Sequence, residues 1–288
     1  MRLALVLGGG GMKGAAHIGI IQGLEERGIR PDLIVGTSAG SIVGCLYASG
    51  MGTAQLVNLY ANAQPDRVAD YDRKWAAVAT QPVLMRLLRW PLGLLKGNKV
   101  EAVFFRLLGD KTFDQLTMPC AAVAVDINSG EMVVFAPGQL VSSRRHYLPP
   151  EVVFITRARV AEAIRASISI PGLFAPKEMQ GRMLVDGGLV DNTPADVARW
   201  LGAEKVIAVD LGFQARLKPA DNILEVLIQS ADVMGRRITE IVTGTYADLV
   251  LRPISEPVSL WEFGKVPALV EAGRSEVERR WSEIEACL

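Results

Sequence analysis

Two glycine-rich turns in the first fifty residues constrain this chain more than anything else in it. Residues 3–7 are five apolar residues in a row, and Gly8-Gly-Gly-Gly-Met-Lys-Gly14 follows at once. A second apolar run, Leu33-Ile-Val35, leads into Gly36-Thr-Ser-Ala-Gly40 and then a small, apolar stretch to Ser49. Apolar runs without alternation suit strands buried on both faces, as in a parallel sheet. Between them, Ala15, Ala16, Ile18, Ile20, Ile21 and Leu24 supply the apolar side of a helix, and Gly28 is a fitting stop. Strand, loop, helix, strand, tight turn, helix is a βαβ crossover, which is right-handed and fixes an α/β class.

The tight turn has the spacing Gly36-x-Ser38-x-Gly40, that of a nucleophile elbow. A turn this sharp imposes strained angles on Ser38 and brings neighbouring segments too close for side chains at Gly36 and Gly40. It aims a hydroxyl out of the sheet at a helix N-terminus, where backbone N–H groups favour developing negative charge. The first turn, with Gly9, Gly10, Gly11 and Gly14, presents N–H groups to an anion, and Lys13 adds positive charge. For acyl transfer that is an oxyanion hole. Gly9-x-Gly11-x-x-Gly14 also matches the dinucleotide-binding fingerprint, which wants an acid at the end of the second strand. Asp32 precedes that strand instead. A Walker A loop fails as well, because Gly14 and Ala15 follow Lys13 where Ser or Thr should hold magnesium.

A nucleophilic serine needs a base. The chain has two histidines. His17 lies inside the first helix and reads as a structural histidine near its start. His146 lies in a basic stretch with no strand end to hold it. A Ser–His–acid triad of the α/β-hydrolase kind places its histidine after the acid, late in the chain, and none follows residue 146. A carboxylate remains. Asp186 closes the apolar run Met183-Leu-Val185 and is followed by Gly187 and Gly188, which let the backbone turn closely. Asp126, Asp191 and Asp210 compete, without that setting. A lone aspartate serves a serine as base where partial desolvation raises its proton affinity.

Together these pieces resemble the patatin-like lipid acyl hydrolases, a family of bacterial and other phospholipases. Gly8–Gly14 looks like the family's oxyanion motif, residues 36–40 like its elbow, and Asp186-Gly187-Gly188 like its Asp-Gly-Gly motif. Phe113-Asp-Gln-Leu before Pro119, the strand ending at Asp126, Ala166-Ser-Ile-Ser-Ile-Pro171 and Ala198-Arg-Trp-Leu-Gly-Ala203 are similar too. The resemblance implies a three-layer α/β/α fold with a mostly parallel central sheet. It implies a Ser38–Asp186 dyad acting on lipid acyl esters, with Gly9–Gly11 holding the oxyanion and no metal or cofactor. Residues 1–288 are expected to form one domain, with a motif-bearing core at 3–213 and a helical extension at 214–288. The stretch 139–160 is longer than the family's usual link and reads as irregular. A non-catalytic lipid- or acyl-binding protein using the same cavity is the alternative.

Further hairpin signals lie at 121–126 and 132–136, a short helix at 160–167, and the last parallel strand at 205–211. Helices are expected at 54–63, 100–108, 195–201, 223–242 and 266–286. Residues 83–95 combine leucines with two arginines and Trp90, and read as a helix packed on the sheet or as a lid touching lipid. Acids and bases balance at 31 each, without the basic excess of a nucleic-acid binder. Cys45, Cys120 and Cys287 are odd in number and in no ligand spacing, which suits a reducing compartment. The opening apolar run is too short for a signal peptide, and no uncharged run approaches the ~20 residues of a membrane span. A cytoplasmic protein is expected, peripheral at the inner membrane surface where it meets its substrate.

Overall fold

The computed structural model describes residues 2–63, 69–71, 92–212, 223–255, 258 and 263–288. Across its main sheet the strands run β11 (Leu249–Leu251), β10 (Lys205–Val209), β1 (Leu3–Leu7), β2 (Leu33–Thr37), β4 (Cys120–Asp126), β5 (Met132–Phe135) and β6 (Val153–Ile155). The pairs β11–β10, β10–β1, β1–β2, β2–β4 and β5–β6 are parallel, whereas β5 returns antiparallel along β4. A hairpin of β8 (Lys177–Met179) and β9 (Arg182–Asp186) joins through β9, antiparallel to β4.

That last pairing positions everything that follows. The first half of β4 is paired with β2, ending at Val123 opposite Thr37. The next residue, Ala124, is paired with Asp186 at the end of β9. Strand β2 leaves the sheet at its elbow, and β9 arrives from the opposite direction to occupy the vacated edge of β4. The two strands therefore meet end to end, with residues 38 and 186 at the junction.

Side chains alternate between two cores, as the pleat requires. Leu3, Leu5 and Leu7 face α1 (Ala15–Glu25), α2 (Ala39–Ala48), α6 (Val160–Ser167) and α9 (Val266–Arg279). Ala4, Val6, Leu33 and Val35 face α7 (Ala195–Trp200), with Val242 and Tyr246 of α8 (Ile223–Tyr246) packed alongside. A mostly parallel sheet with helices on both faces is the expected three-layer architecture, and β1 and β4 are buried throughout. On the first face α1 and α9 cross with backbones nearly touching. A Cβ on Gly19 would lie 1.8 Å from the Val270 carbonyl oxygen, and one on Gly273 2.1 Å from that of Ala16.

Several expectations need correction. The stretch 139–160 is not irregular. It forms α5 (Gly138–Arg144), a 3-10 turn at Arg145–Tyr147 and then β6. The C-terminal part is not purely helical, since β11 extends the sheet by pairing with β10. The expected helix at 266–286 is two, α9 and α10 (Trp281–Cys287), parted at Arg280. Most of 83–95 lies outside the described residues. Its end, Gly93–Leu95, is β3, paired with β7 (Gly172–Phe174) in a small second sheet rather than helical. The expected helices at 54–63 and 100–108 are α3 (Thr53–Ala61) and α4 (Asn98–Leu108). Among the described residues no helix is long and apolar enough to cross a membrane.

Candidate active site

Ser38 sits between β2 and α2 with φ 52° and ψ −119°. A side chain held in the left-handed region costs on the order of 1–3 kcal/mol, so the surroundings must impose it. Gly36 and Gly40 show how. A Cβ on Gly40 would lie 1.9 Å from the Leu7 carbonyl oxygen, and one on Gly36 2.5 Å from the Gly40 carbonyl carbon. The elbow closes only because both side chains are absent. Its hydroxyl donates to Asp186 Oδ2 at 2.6 Å, and both residues are 6 % exposed.

Asp186 is aimed by its own turn. Its Oδ1 accepts from the Gly188 amide at 2.8 Å, while its backbone amide donates to the Ser169 carbonyl at 3.0 Å. Gly187 fits there because a Cβ would meet the Val123 carbonyl oxygen at 2.5 Å. Ser167, fully buried at the end of α6, accepts the Ser38 amide at 2.9 Å and donates to the Val123 carbonyl at 2.6 Å. The serine hydroxyl bonds one side chain and its amide another, so neither end of the residue is loose.

The glycine loop lies against this pair. A Cβ on Gly9 would stand 3.2 Å from Ser38 Cβ, and one on Gly14 2.8 Å from Ala39 Cβ. Gly11, at φ 59°, opens a 3-10 turn through Gly14. Not every amide is free, since that of Gly9 donates to the Asn192 carbonyl at 3.0 Å. Those of Gly10 and Gly11 have no such commitment among the described residues. Lys13 is buried, with Nζ donating to the carbonyls of Gly212 at 2.9 Å and Leu211 at 3.4 Å, so its charge rests partly on the chain beyond β10. Beneath the loop His17 donates from Nε2 to the Gly8 carbonyl at 2.7 Å. Burial pulls its imidazole down to about 4, against the raising effects of that bond and of Asp210. It is a neutral structural histidine, and His146 is exposed on its 3-10 turn.

Two of the competing acids are engaged elsewhere. Asp126 pairs with Arg182 at 3.0 Å, and Asp210 with Arg252 at 3.1 Å. Asp191 is fully enclosed, and burial together with neighbouring Asp196 raises its carboxyl well above the usual range. Its carbonyl accepts from Thr37 Oγ1 at 2.9 Å, tying the chain after the Asp-Gly-Gly turn to the end of β2. Among the described residues no cluster of His, Cys, Asp and Glu is placed to hold a metal ion.

Residues 5–199 match the family described as patatin-like phospholipase. The chain belongs to that family. As a patatin-like chain it is 30 % identical over 302 residues to patatin-like phospholipase domain-containing protein 6 of Mus musculus, covering 94 % of this chain and 20 % of the relative. It is 35 % identical over 213 residues to an NTE family protein of Mycobacterium tuberculosis, covering 73 % and 49 %. A lysophospholipase of Mycosarcoma maydis is 34 % identical over 214 residues, 74 % of this chain and 10 % of that one. The patatin-like chain thus spans about a fifth of the mammalian relative's length and half of the mycobacterial one's. Among solved structures, VipD from Legionella pneumophila aligns with TM-score 0.47 and 14 % identity, covering 99 % of this chain and 67 % of that one.

Sequence reading of this patatin-like chain missed Ser167, Thr37 and Asn192. Ser167 lay in view inside Ala166–Pro171, but its partner is 129 residues away. Asn192 stands six residues beyond Asp186, before Thr193-Pro194. Polar residues ahead of a helix read as cap material, and nothing local distinguishes one that holds a distant loop.

Proposed function

We propose that this protein is a serine hydrolase of fatty acyl esters of phospholipids and lysophospholipids, working through a Ser38–Asp186 dyad. The observation that carries the reading is the 2.6 Å hydrogen bond from the Ser38 hydroxyl to a buried carboxylate, beside a glycine loop whose Gly10 and Gly11 amides are uncommitted among the described residues. In acylation Ser38 Oγ bonds the ester carbonyl carbon, and its proton passes to Asp186. The carbonyl electron pair moves onto oxygen, where the loop amides stabilise it. On collapse the leaving alkoxide takes the proton from Asp186. Water then repeats the sequence and releases the fatty acid. General base action contributes typically 10²–10⁴-fold and each oxyanion donor about 10²–10³. No residue in this scheme needs a metal or cofactor. The lysophospholipase name of one relative favours single-chain lipids, met at a membrane surface that the protein touches without entering.

The test labels wild type, Ser38→Ala and Asp186→Asn with a fluorophosphonate and assays lysophosphatidylcholine hydrolysis. Labelling lost in Ser38→Ala, with turnover down at least ~10³-fold in both variants, is the expected result. Full turnover in Ser38→Ala ends the proposal. Binding of fatty acid by a wild type that neither labels nor cleaves any ester favours a non-catalytic lipid carrier.

A further inference from the structure

The oxyanion loop has lost one of its three consecutive amides to the fold, because Gly9 N–H is spent on the Asn192 carbonyl at 3.0 Å. The residue that takes it brings a carboxamide to the same place. Asn192 Oδ1 lies 2.4 Å from where a Gly9 Cβ would be and 2.9 Å from where a Gly188 Cβ would be. Those same two positions lie 3.2 Å from Ser38 Cβ and 3.1 Å from Asp186 Oδ1. The carboxamide thus fills the seam between the loop and the Asp-Gly-Gly turn, within a short reach of both members of the pair. It is half-buried, and it makes no side-chain hydrogen bond among the described residues. Its Cγ stands 3.4 Å and 3.7 Å from the two glycine positions, behind Oδ1, so Nδ2 is held away from the glycines.

Its backbone is fixed through the residue before it. The Asp191 carbonyl accepts Thr37 Oγ1, and the Asp191 amide donates to the Gly187 carbonyl at 2.9 Å. A side chain on a pinned backbone beside the Ser38–Asp186 pair has little reorganisation to undergo when charge develops nearby, which is the requirement for electrostatic preorganisation.

We propose, resting on the hydrolase reading above, that the Asn192 carboxamide is a catalytic group. Its Nδ2 donates to the carbonyl oxygen of the ester as that oxygen becomes an oxyanion, supplying the donor that Gly9 cannot. Neither glycine tolerates a side chain because this carboxamide occupies the space.

The experiment compares wild type, Asn192→Ala and Asn192→Asp. It reads kcat and KM on a short p-nitrophenyl ester, fluorophosphonate labelling, melting temperature, and affinity for an alkylboronic acid, whose tetrahedral adduct mimics the intermediate. Loss of one oxyanion donor predicts kcat down about 10²-fold with KM within about threefold. Boronate affinity falls in parallel while affinity for the fatty acid product is kept. Asn192→Asp has the same shape but removes the donor and adds a negative charge, so turnover kept by Asn192→Asp overturns the proposal even should Asn192→Ala unfold. A kcat within about threefold of wild type in a folded variant overturns the proposal. So does a loss that tracks melting temperature with boronate selectivity intact, which assigns Asn192 to positioning alone. Wild type that labels and turns over beside unaffected variants defeats this inference and leaves the hydrolase reading standing. Wild type that does neither defeats both.

Discussion

A Cβ on Gly40 would come within 1.9 Å of the Leu7 carbonyl oxygen, and one on Gly19 within 1.8 Å of the Val270 carbonyl oxygen. The two sites forbid a side chain with equal force, and each presses a helix against a neighbouring backbone. At the elbow the close approach forces Ser38 to φ 52° and turns its hydroxyl onto Asp186. At the crossing of α1 and α9 it binds the C-terminal helices to the N-terminal core, and no reacting group stands there. Under the proposed mechanism, equal steric demands serve chemistry in one place and cohesion in another.

The largest expected effects separate the two. Gly40→Ala and Gly19→Ala each insert a methyl where backbone already sits, and each should destabilise by at least ~3 kcal/mol, beyond the usual range for overpacking. They should part in function. Folded Gly19→Ala protein, purified away from aggregate, should keep wild-type fluorophosphonate reactivity per molecule, whereas folded Gly40→Ala should lose it. Denaturant melts with active-site labelling measure both quantities. A Gly40→Ala protein that folds and labels normally breaks the comparison at once.

Next in size is a pH effect confined to the elbow and glycine-loop side. His17 is buried neutral, with its imidazole near 4 against 6.5 unfolded. Below 6.5 the unfolded chain takes up a proton that the native one refuses, so stability falls as pH drops toward 4. The loss reaches roughly 3 kcal/mol. His17→Gln should flatten that slope. Asp191 works in the opposite sense, because its carboxyl is raised by burial and by Asp196. Stability is lost as pH climbs above the ordinary carboxylate value, so Asp191→Asn should be relatively more stable toward neutral pH. Urea melts from pH 4 to 8 read both. Unchanged acid slopes in His17→Gln would mean that the layer under the glycine loop tolerates charge.

A smaller effect is expected from Ser167→Ala, which strips the Ser38 amide and the Val123 carbonyl of their shared hydroxyl. An unsatisfied buried donor costs about 1–3 kcal/mol. Turnover should drop on the order of tenfold as the strained residue loses its brace. Ser167→Thr, which keeps the hydroxyl, should recover part of that turnover. A Ser167→Ala enzyme with wild-type kcat would show that Gly36 and Gly40 hold the elbow unaided.

The contrast between the regions also explains what was legible in the sequence. Ser38 and Asp186 could be found because their settings are local, an apolar strand running into glycines a few residues long. Gly19 and Gly273 could not, since each is one small residue in a helix whose partner lies some 250 residues away. The central strands showed as unbroken apolar runs. The edge strands did not. Lys177–Met179 is half-exposed and polar, Val153–Ile155 follows a basic stretch, and Leu249–Leu251 is three residues long. Such strands are specified by the neighbour they pair with more than by their own pattern.

The crossing carries one more contact, and it should matter least. Arg274 of α9 reaches Glu26, just beyond α1, at 2.9 Å, with side chains 44 % and 50 % exposed. Arg274 also approaches Glu271 at 3.9 Å, so its charge is not committed to one partner. Exposed pairs of this kind measure about 0.2–1 kcal/mol and weaken with salt. A double-mutant cycle on Glu26→Gln and Arg274→Gln, by urea melts at low and high salt, should give a coupling below ~1 kcal/mol that shrinks as salt rises. A larger, salt-insensitive coupling would mean that charge, and not the missing side chains of Gly19 and Gly273, sets how closely the two helices pack.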